Sequence, residues 1–277
     1  MRRNFFDIIN DSEINVRAEI ARIDHFFTQR ENYGPSLKSF IDKTCFREWK
    51  YNKRCLSIDD LVITHKIRTG NKVSSIEEMF IYFEFLANII LFLDKKISSY
   101  SEGWDRDVIG HIQKMSSEIV ENIASVLDEL NYKFIKLEED KSVIVEKSEI
   151  VSAVSEIYEE ISPKVIEYKR FNLAGNLERK KELLLGLAHK YESVNKKLIK
   201  NGHENLATNV RCLLNNLNIR HNPKEGSKED IYLKKLSTKE LENWYDKTYD
   251  TILLALMSAH YVDYKGEIDK LKNELAN

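Results

Sequence analysis

The segment Asn215-Asn216-Leu217-Asn218-Ile219-Arg220-His221-Asn222 brings residue types capable of chemistry closest together in this chain. An imidazole with an ordinary pKa near roughly 6.5 passes protons in either direction around neutrality, and a guanidinium can donate two parallel hydrogen bonds to a phosphate. Side by side they are the equipment for general acid–base work on an anionic substrate. The residues just upstream, Leu213 and Leu214, belong to an apolar helical pattern. Asparagine is a poor helix-interior residue because its side chain competes for backbone hydrogen bonds, so amides at this density need an explanation. Pro223 disfavours the α conformation at Asn222, which predicts a helix from Glu204 to Ile219 that ends within a residue or two of His221. On such a helix Asn215, Asn218 and Asn222 line one face, and Asn216 and Arg220 another.

A purely structural explanation covers part of this segment. Arg and His in a last helical turn interact favourably with the negative end of the helix macrodipole, and Asn tolerates the left-handed conformation at helix ends. Those effects account for Arg220, His221 and Asn222 and leave Asn215, Asn216 and Asn218 over.

The cluster resembles the HEPN superfamily, helical-bundle proteins of prokaryotic defence and toxin–antitoxin systems, many of them metal-independent ribonucleases. Their signature is an arginine, commonly followed by asparagine, then a histidine after a gap of four to six residues, at the junction of two bundle helices. Asn216 takes the asparagine position and His221 the histidine position, whereas Asn215 stands where the family has arginine. Arg211 is too far upstream to fit, so Arg220 would supply the charge from beside the histidine. The resemblance covers about residues 148–277. It implies RNA cleavage without a cofactor or metal, with His221 as general acid/base, Arg220 stabilising charge on the phosphate, and Asn215 and Asn216 orienting them. It also implies a homodimer whose cleft is shared by two protomers, and a protein antitoxin as a possible partner. Arg179, Lys180 and Lys181, in a stretch where basic residues outnumber acids, together with Lys224, are the candidate contacts to an RNA backbone. The same charge run also suits a solvated helix face.

Two other function classes remain open on the residues alone. One is a non-catalytic helical scaffold that binds a protein or RNA, favoured by asparagine at position 215. The other is a hydrolase with metal ligands gathered from several helices, since the seven histidines never recur at three- or four-residue spacing. Gly-rich phosphate loops, His-Glu-x-x-His, Gly-x-Ser-x-Gly and EF-hand loops do not occur in the sequence.

The elements that must position this segment are helical. Among 277 residues there are 9 Gly and 3 Pro, far below ordinary usage of roughly 7% and 5%, so long helices are expected and many-stranded architectures are not. The net charge of -2 gives no global basic field. Cys45, Cys55 and Cys212 are odd in number and irregular in spacing, which predicts buried thiols in a reducing compartment. The most apolar run, Phe80 to Leu93, is interrupted by Glu84 and Asn88 and is shorter than the roughly 20 residues of a bilayer span, so it reads as a core helix of a cytoplasmic protein.

Apolar periodicity predicts helices over Phe5–Gln29, Ser36–Trp49, a short one after Ser57, a long one from a Ser74/Glu77 capping box to about Ile97, and Asp107–Leu130. A turn is expected at Thr69-Gly70-Asn71-Lys72. Tyr132–Leu137 and Val143–Val145 around a polar turn predict a β-hairpin. Helices follow over Ser148–Ile161, from Ser162-Pro163, over Leu177–Ile199 and Glu204–Ile219, and from a Ser237/Glu240 capping box onward with a break near Gly266. The expected organisation is mainly α: an N-terminal helical domain over 1–131, a hairpin connector over 132–147, and a bundle of four or five helices over 148–277.

Overall fold

The computed structural model describes residues 14–30, 34–67, 75–100 and 105–276. The protein is mainly α-helical, with a small two-stranded antiparallel hairpin near the middle. The chain divides into two compact units, 1–144 and 145–277, so the division falls inside the second strand of the hairpin.

In the first unit, α1 (Val16–Thr28), α2 (Leu37–Thr44), α3 (Ile58–Thr64), α4 (Ile76–Tyr100) and α5 (Arg106–Glu129) precede β1 (Tyr132–Glu138) and β2 (Lys141–Glu146). Local capping sets several starts. Asn15, Ser36, Ser57 and Asp105 each accept a hydrogen bond from a backbone N–H of the first turn. Ser75, which accepts from Glu78 N at 3.2 Å, begins α4 one residue later than the expected Ser74 cap. Ser74 itself, the turn at 69–72 and the apolar residues Phe5 and Ile9 lie outside the described residues. The helix expected over Ser36–Trp49 ends at Thr44 and is followed by a 3-10 turn, Phe46–Glu48.

Glu84 and Asn88, the two polar interruptions of the apolar run, hold the hairpin on α4. The Asn88 amide donates to Ser142 O and accepts from Ser142 N, both at 2.8 Å. Glu84 Oε1 accepts from Ile144 N at 2.7 Å. Strand β2 thereby finds on a helix the edge partners that a sheet would supply, while Val143 and Ile144 are buried. An isolated hairpin is marginal in water, and burying those two side chains contributes roughly 1.5–3 kcal/mol each.

The second unit contains α6 (Glu149–Ile157), α7 (Ser162–Tyr168), α8 (Leu177–Lys200), α9 (Glu204–Asn216), α10 (Lys228–Lys235) and α11 (Thr238–Leu275). Helix α11 is the axis of the bundle and packs against α6, α8 and α9. Its Tyr249, Ile252, Leu253, Leu256 and Ala259 meet Leu184, Leu187 and Tyr191 of α8 and Val210 and Leu214 of α9 in one buried cluster. The Ser237/Glu240 capping box forms as expected: Glu240 N donates to Ser237 Oγ at 3.2 Å and Ser237 N to Glu240 Oε2 at 2.8 Å. Three features depart from expectation. The helix predicted to run to Ile219 stops at Asn216. A helix not expected from periodicity, α10, follows the loop, capped by Ser227 through Asp230 N. The break near Gly266 is absent, and α11 runs unbroken through it.

Candidate functional site

Helix α9 ends early because the chain must turn to bury both Leu217 and Ile219. Asn218 between them takes a left-handed conformation, φ 57°, and Arg220 N returns to donate to Leu214 O at 3.1 Å. Asparagine is the residue besides glycine that visits this region most readily, so the amide at 218 is explained by backbone geometry. Its own Oδ1 is buried without a hydrogen-bond partner. His221 therefore stands on a loop five residues beyond the helix, exposed to solvent.

The four proposed catalytic side chains have different surroundings. Asn215 and His221 are exposed. Asn216 Nδ2 donates to Cys212 Sγ at 3.2 Å, one turn back on the same helix. Arg220 folds inward: its side chain is 15% exposed and one terminal nitrogen lies 2.7 Å from Glu192 Oε1 on α8. That contact lacks hydrogen-bond alignment, and Arg220 Nε is buried with no hydrogen-bond partner. The guanidinium is thus held by charge, with unspent donor capacity, against a carboxylate that is itself 55% exposed.

The candidate RNA contacts separate more sharply. Lys180 is buried, with its Nζ 2.8 Å from Glu242 and 2.7 Å from Asp246 of α11, and it cannot meet a polyanion without leaving two carboxylates behind. Asp246 Oδ1 also accepts from Tyr168 OH at 3.0 Å. Tyr168 in turn stacks on Tyr249 with ring centroids 4.1 Å apart. Burial and then the Asp246 carboxylate push the Tyr168 phenol far up. Burial raises Glu242 as well, yet its hydrogen bonds from Lys180 and from Gly175 N outweigh that and hold the carboxyl below its ordinary value. Arg179 is spent on Glu167, through two nitrogens at 2.7 and 3.0 Å, and on Glu182 at 2.7 Å. Lys181 is half-buried, and Lys224 is exposed on the loop beside His221.

A groove of about 330 Å³, lined in part by Asn216, opens between the end of α9, α10 and the start of α11. Cys212, Asn216 and Leu217 form one wall, and Lys228, Tyr232 and Trp244 the other. Cys212 is exposed here, contrary to the expectation of a buried thiol, whereas Cys45 and Cys55 are buried as expected. The second wall was not found by periodicity, yet Ser227 followed by Asp230 has the spacing of a helix start and could have revealed α10. Neither Arg220 nor His221 lines this groove. His260 sets its ring edge-on against Tyr264, with 5.4 Å between centroids. Among the described residues no three His, Cys, Asp or Glu side chains gather as a metal site requires, and no helix is long and apolar enough to cross a membrane. No family model, curated protein or solved structure matches the chain in the comparisons.

Proposed function

We propose that the second unit is a HEPN-like, metal-independent ribonuclease that acts at the loop following α9. The observation that carries this reading is the exposed His221 imidazole next to a guanidinium whose Nε has no hydrogen-bond partner, with the Asn215 and Asn216 amides at the helix end just before them. In this reaction the RNA 2′-hydroxyl loses its proton to His221 and attacks the adjacent phosphorus. The bond to the 5′-oxygen breaks and the His221 imidazolium returns the proton to that oxygen, leaving a 2′,3′-cyclic phosphate and a 5′-hydroxyl. Arg220 stabilises charge on the nonbridging oxygens once a phosphate replaces Glu192. Once displaced, the half-exposed Glu192 carboxylate is hydrated by solvent, while the largely buried guanidinium regains an anionic partner in the phosphate. Lys224 adds a nearby positive charge. The HEPN resemblance extends the proposal to a shared cleft in a homodimer, a protein antitoxin, and a role in prokaryotic defence within the cytoplasm.

The test is incubation of the purified chain with RNA in EDTA. Cleavage is expected, with cyclic-phosphate ends, and His221→Ala abolishes it while leaving the helical circular-dichroism signal unchanged. Intact RNA after incubation with the folded wild-type chain sinks the reading.

The groove favours a second reading, a non-catalytic scaffold that holds RNA. Tyr232 and Trp244 offer aromatic surface on which bases stack, a contact worth roughly 1–3 kcal/mol per base. On that reading RNA is bound and left whole, Trp244→Ala weakens binding, and His221→Ala does not.

A further inference from the structure

From Leu254 onward α11 carries apolar residues on a strict seven-residue repeat. Leu254, Tyr261, Ile268 and Leu275 occupy one position of the heptad, and Met257, Tyr264 and Leu271 the position three residues later. This is the a/d spacing of a two-stranded coiled coil, sustained over about 32 Å of helix at 1.5 Å per residue. The bundle accounts only for Met257, which is partly buried against its core, and leaves the rest of the stripe uncovered. The bundle buries the opposite side of α11 through Ile252, Ala255, Leu256 and Ala259, and Asp263 on that side pairs with Lys197 of α8. On the seam side Leu254, Tyr261, Tyr264, Leu271 and Leu275 are all exposed, Leu271 at 55% and Leu275 at 79%. Scattered exposed apolar residues are ordinary, but an uninterrupted stripe at coiled-coil spacing on one helix is not.

The flanking charges select the occupant. Lys265 and Lys272 fall at e positions, and Glu267 and Glu274 at g. When two copies run parallel and in register, a g residue faces the e residue of the following heptad on the other helix. Glu267 of each copy then meets Lys272 of the other, twice by symmetry. Run antiparallel, the same helices would set Glu against Glu and Lys against Lys. In the single chain Lys272 lies 3.6 Å from Asp269, both well exposed, a pair that exchanges at little cost.

We infer that the α11 segment from Leu254 to Leu275 is a dimerisation seam that pairs with the same segment of a second copy as a parallel, in-register coiled coil. This surface is independent of the loop chemistry proposed above and of any cleft shared there.

The test is the mass of the full chain by size-exclusion chromatography with light scattering at tens of micromolar. Twice 32.5 kDa is expected for the wild type. Ile268→Lys should return the single-chain mass with an unchanged thermal unfolding midpoint for the bundle, because Ile268 lies beyond the buried residues of α11. Glu267→Lys alone opposes like charges and should weaken the dimer about tenfold, and Glu267→Lys with Lys272→Glu should restore it. A monomeric wild type, a three-chain mass, or a dimer untouched by Ile268→Lys overturns the inference. Failure of the double charge reversal to restore the dimer overturns the parallel register.

Discussion

Arg220 and Glu192 join the loop after α9 to α8, guanidinium nitrogen to carboxylate oxygen at 2.7 Å. The loop cation proposed to meet phosphate is therefore already neutralised, and Glu192 competes with any RNA for it. Glu192→Gln removes the competitor. RNA affinity at low salt should rise several-fold, whereas Arg220→Ala should lower it and reduce the salt slope by roughly 0.7, the value of one phosphate contact on a single strand. Fluorescence anisotropy over a salt series measures both. Equal affinity for wild type and both variants would leave the pair a purely structural tie.

Asn218 holds the turn that presents Arg220 and His221. At φ 57° an alanine meets the left-handed penalty without the local hydrogen-bonding options of asparagine, so Asn218→Ala should cost about 1 kcal/mol. Asn218→Gly, which lifts the penalty and removes a buried acceptor lacking a partner, should be neutral or stabilising. Urea midpoints of the three proteins give the comparison, and equal midpoints for Ala and Gly would contradict it.

The contrast between Ser237 and Asn218 shows what the sequence could reveal. Ser237 and Glu240 satisfy one another within one turn, so their spacing alone announces the start of α11. Ser57 is legible from a simpler local signal, a serine placed to accept from the N–H three residues on. The end of α9 is decided instead by where Leu217 and Ile219 find apolar neighbours, and that depends on helices distant in sequence. Proline at 223 was the visible stop signal, yet burial stopped the helix seven residues earlier. Lys180 misleads in the same way. In sequence it stands in a basic run beside Arg179 and Lys181, and the carboxylates that claim it lie more than sixty residues away on α11. The amides at 215 and 216 were legible as unusual, and geometry has explained only the one at 218.

Lys180 consequently belongs to stability. Lys180→Ala leaves Glu242 and Asp246 facing each other beside Tyr168 with no cation. Wholly buried pairs lose roughly 3–5 kcal/mol when broken, and partial exposure of Asp246 reduces this to about 2–3 kcal/mol. The variant should unfold at markedly lower urea and bind RNA with the wild-type salt slope. A reduced slope in a folded variant would return Lys180 to the RNA contacts.

Acid should act on the same cluster. The Glu242 carboxyl is held below its ordinary value in the folded chain, so it contributes stability that is fully present above the unfolded value near roughly 4.3. That contribution is lost as pH falls through the lower folded value. Glu242→Gln should be less stable than wild type at neutral pH and show a flatter acid limb below about pH 4. Unfolding midpoints at stepped pH test this; parallel curves for the two proteins would show that Glu242 is not the titrating group.

Gly266 is the weak point of the long helix. It lies inside α11, and a Cβ added there meets nothing within 4 Å. Glycine in an exposed helix interior costs roughly 0.5–1 kcal/mol relative to alanine through backbone entropy. Gly266 falls at an f position, away from the a/d seam, so Gly266→Ala changes the stiffness of the segment and leaves the seam's contacts alone. Amide hydrogen exchange over 262–275 should slow in the variant. If that segment pairs as a coiled coil, the dimer should also tighten about two- to fivefold, because less ordering remains to be done on association. Slower exchange with an unchanged dimer constant would mean that the segment is already fully ordered before a second copy arrives.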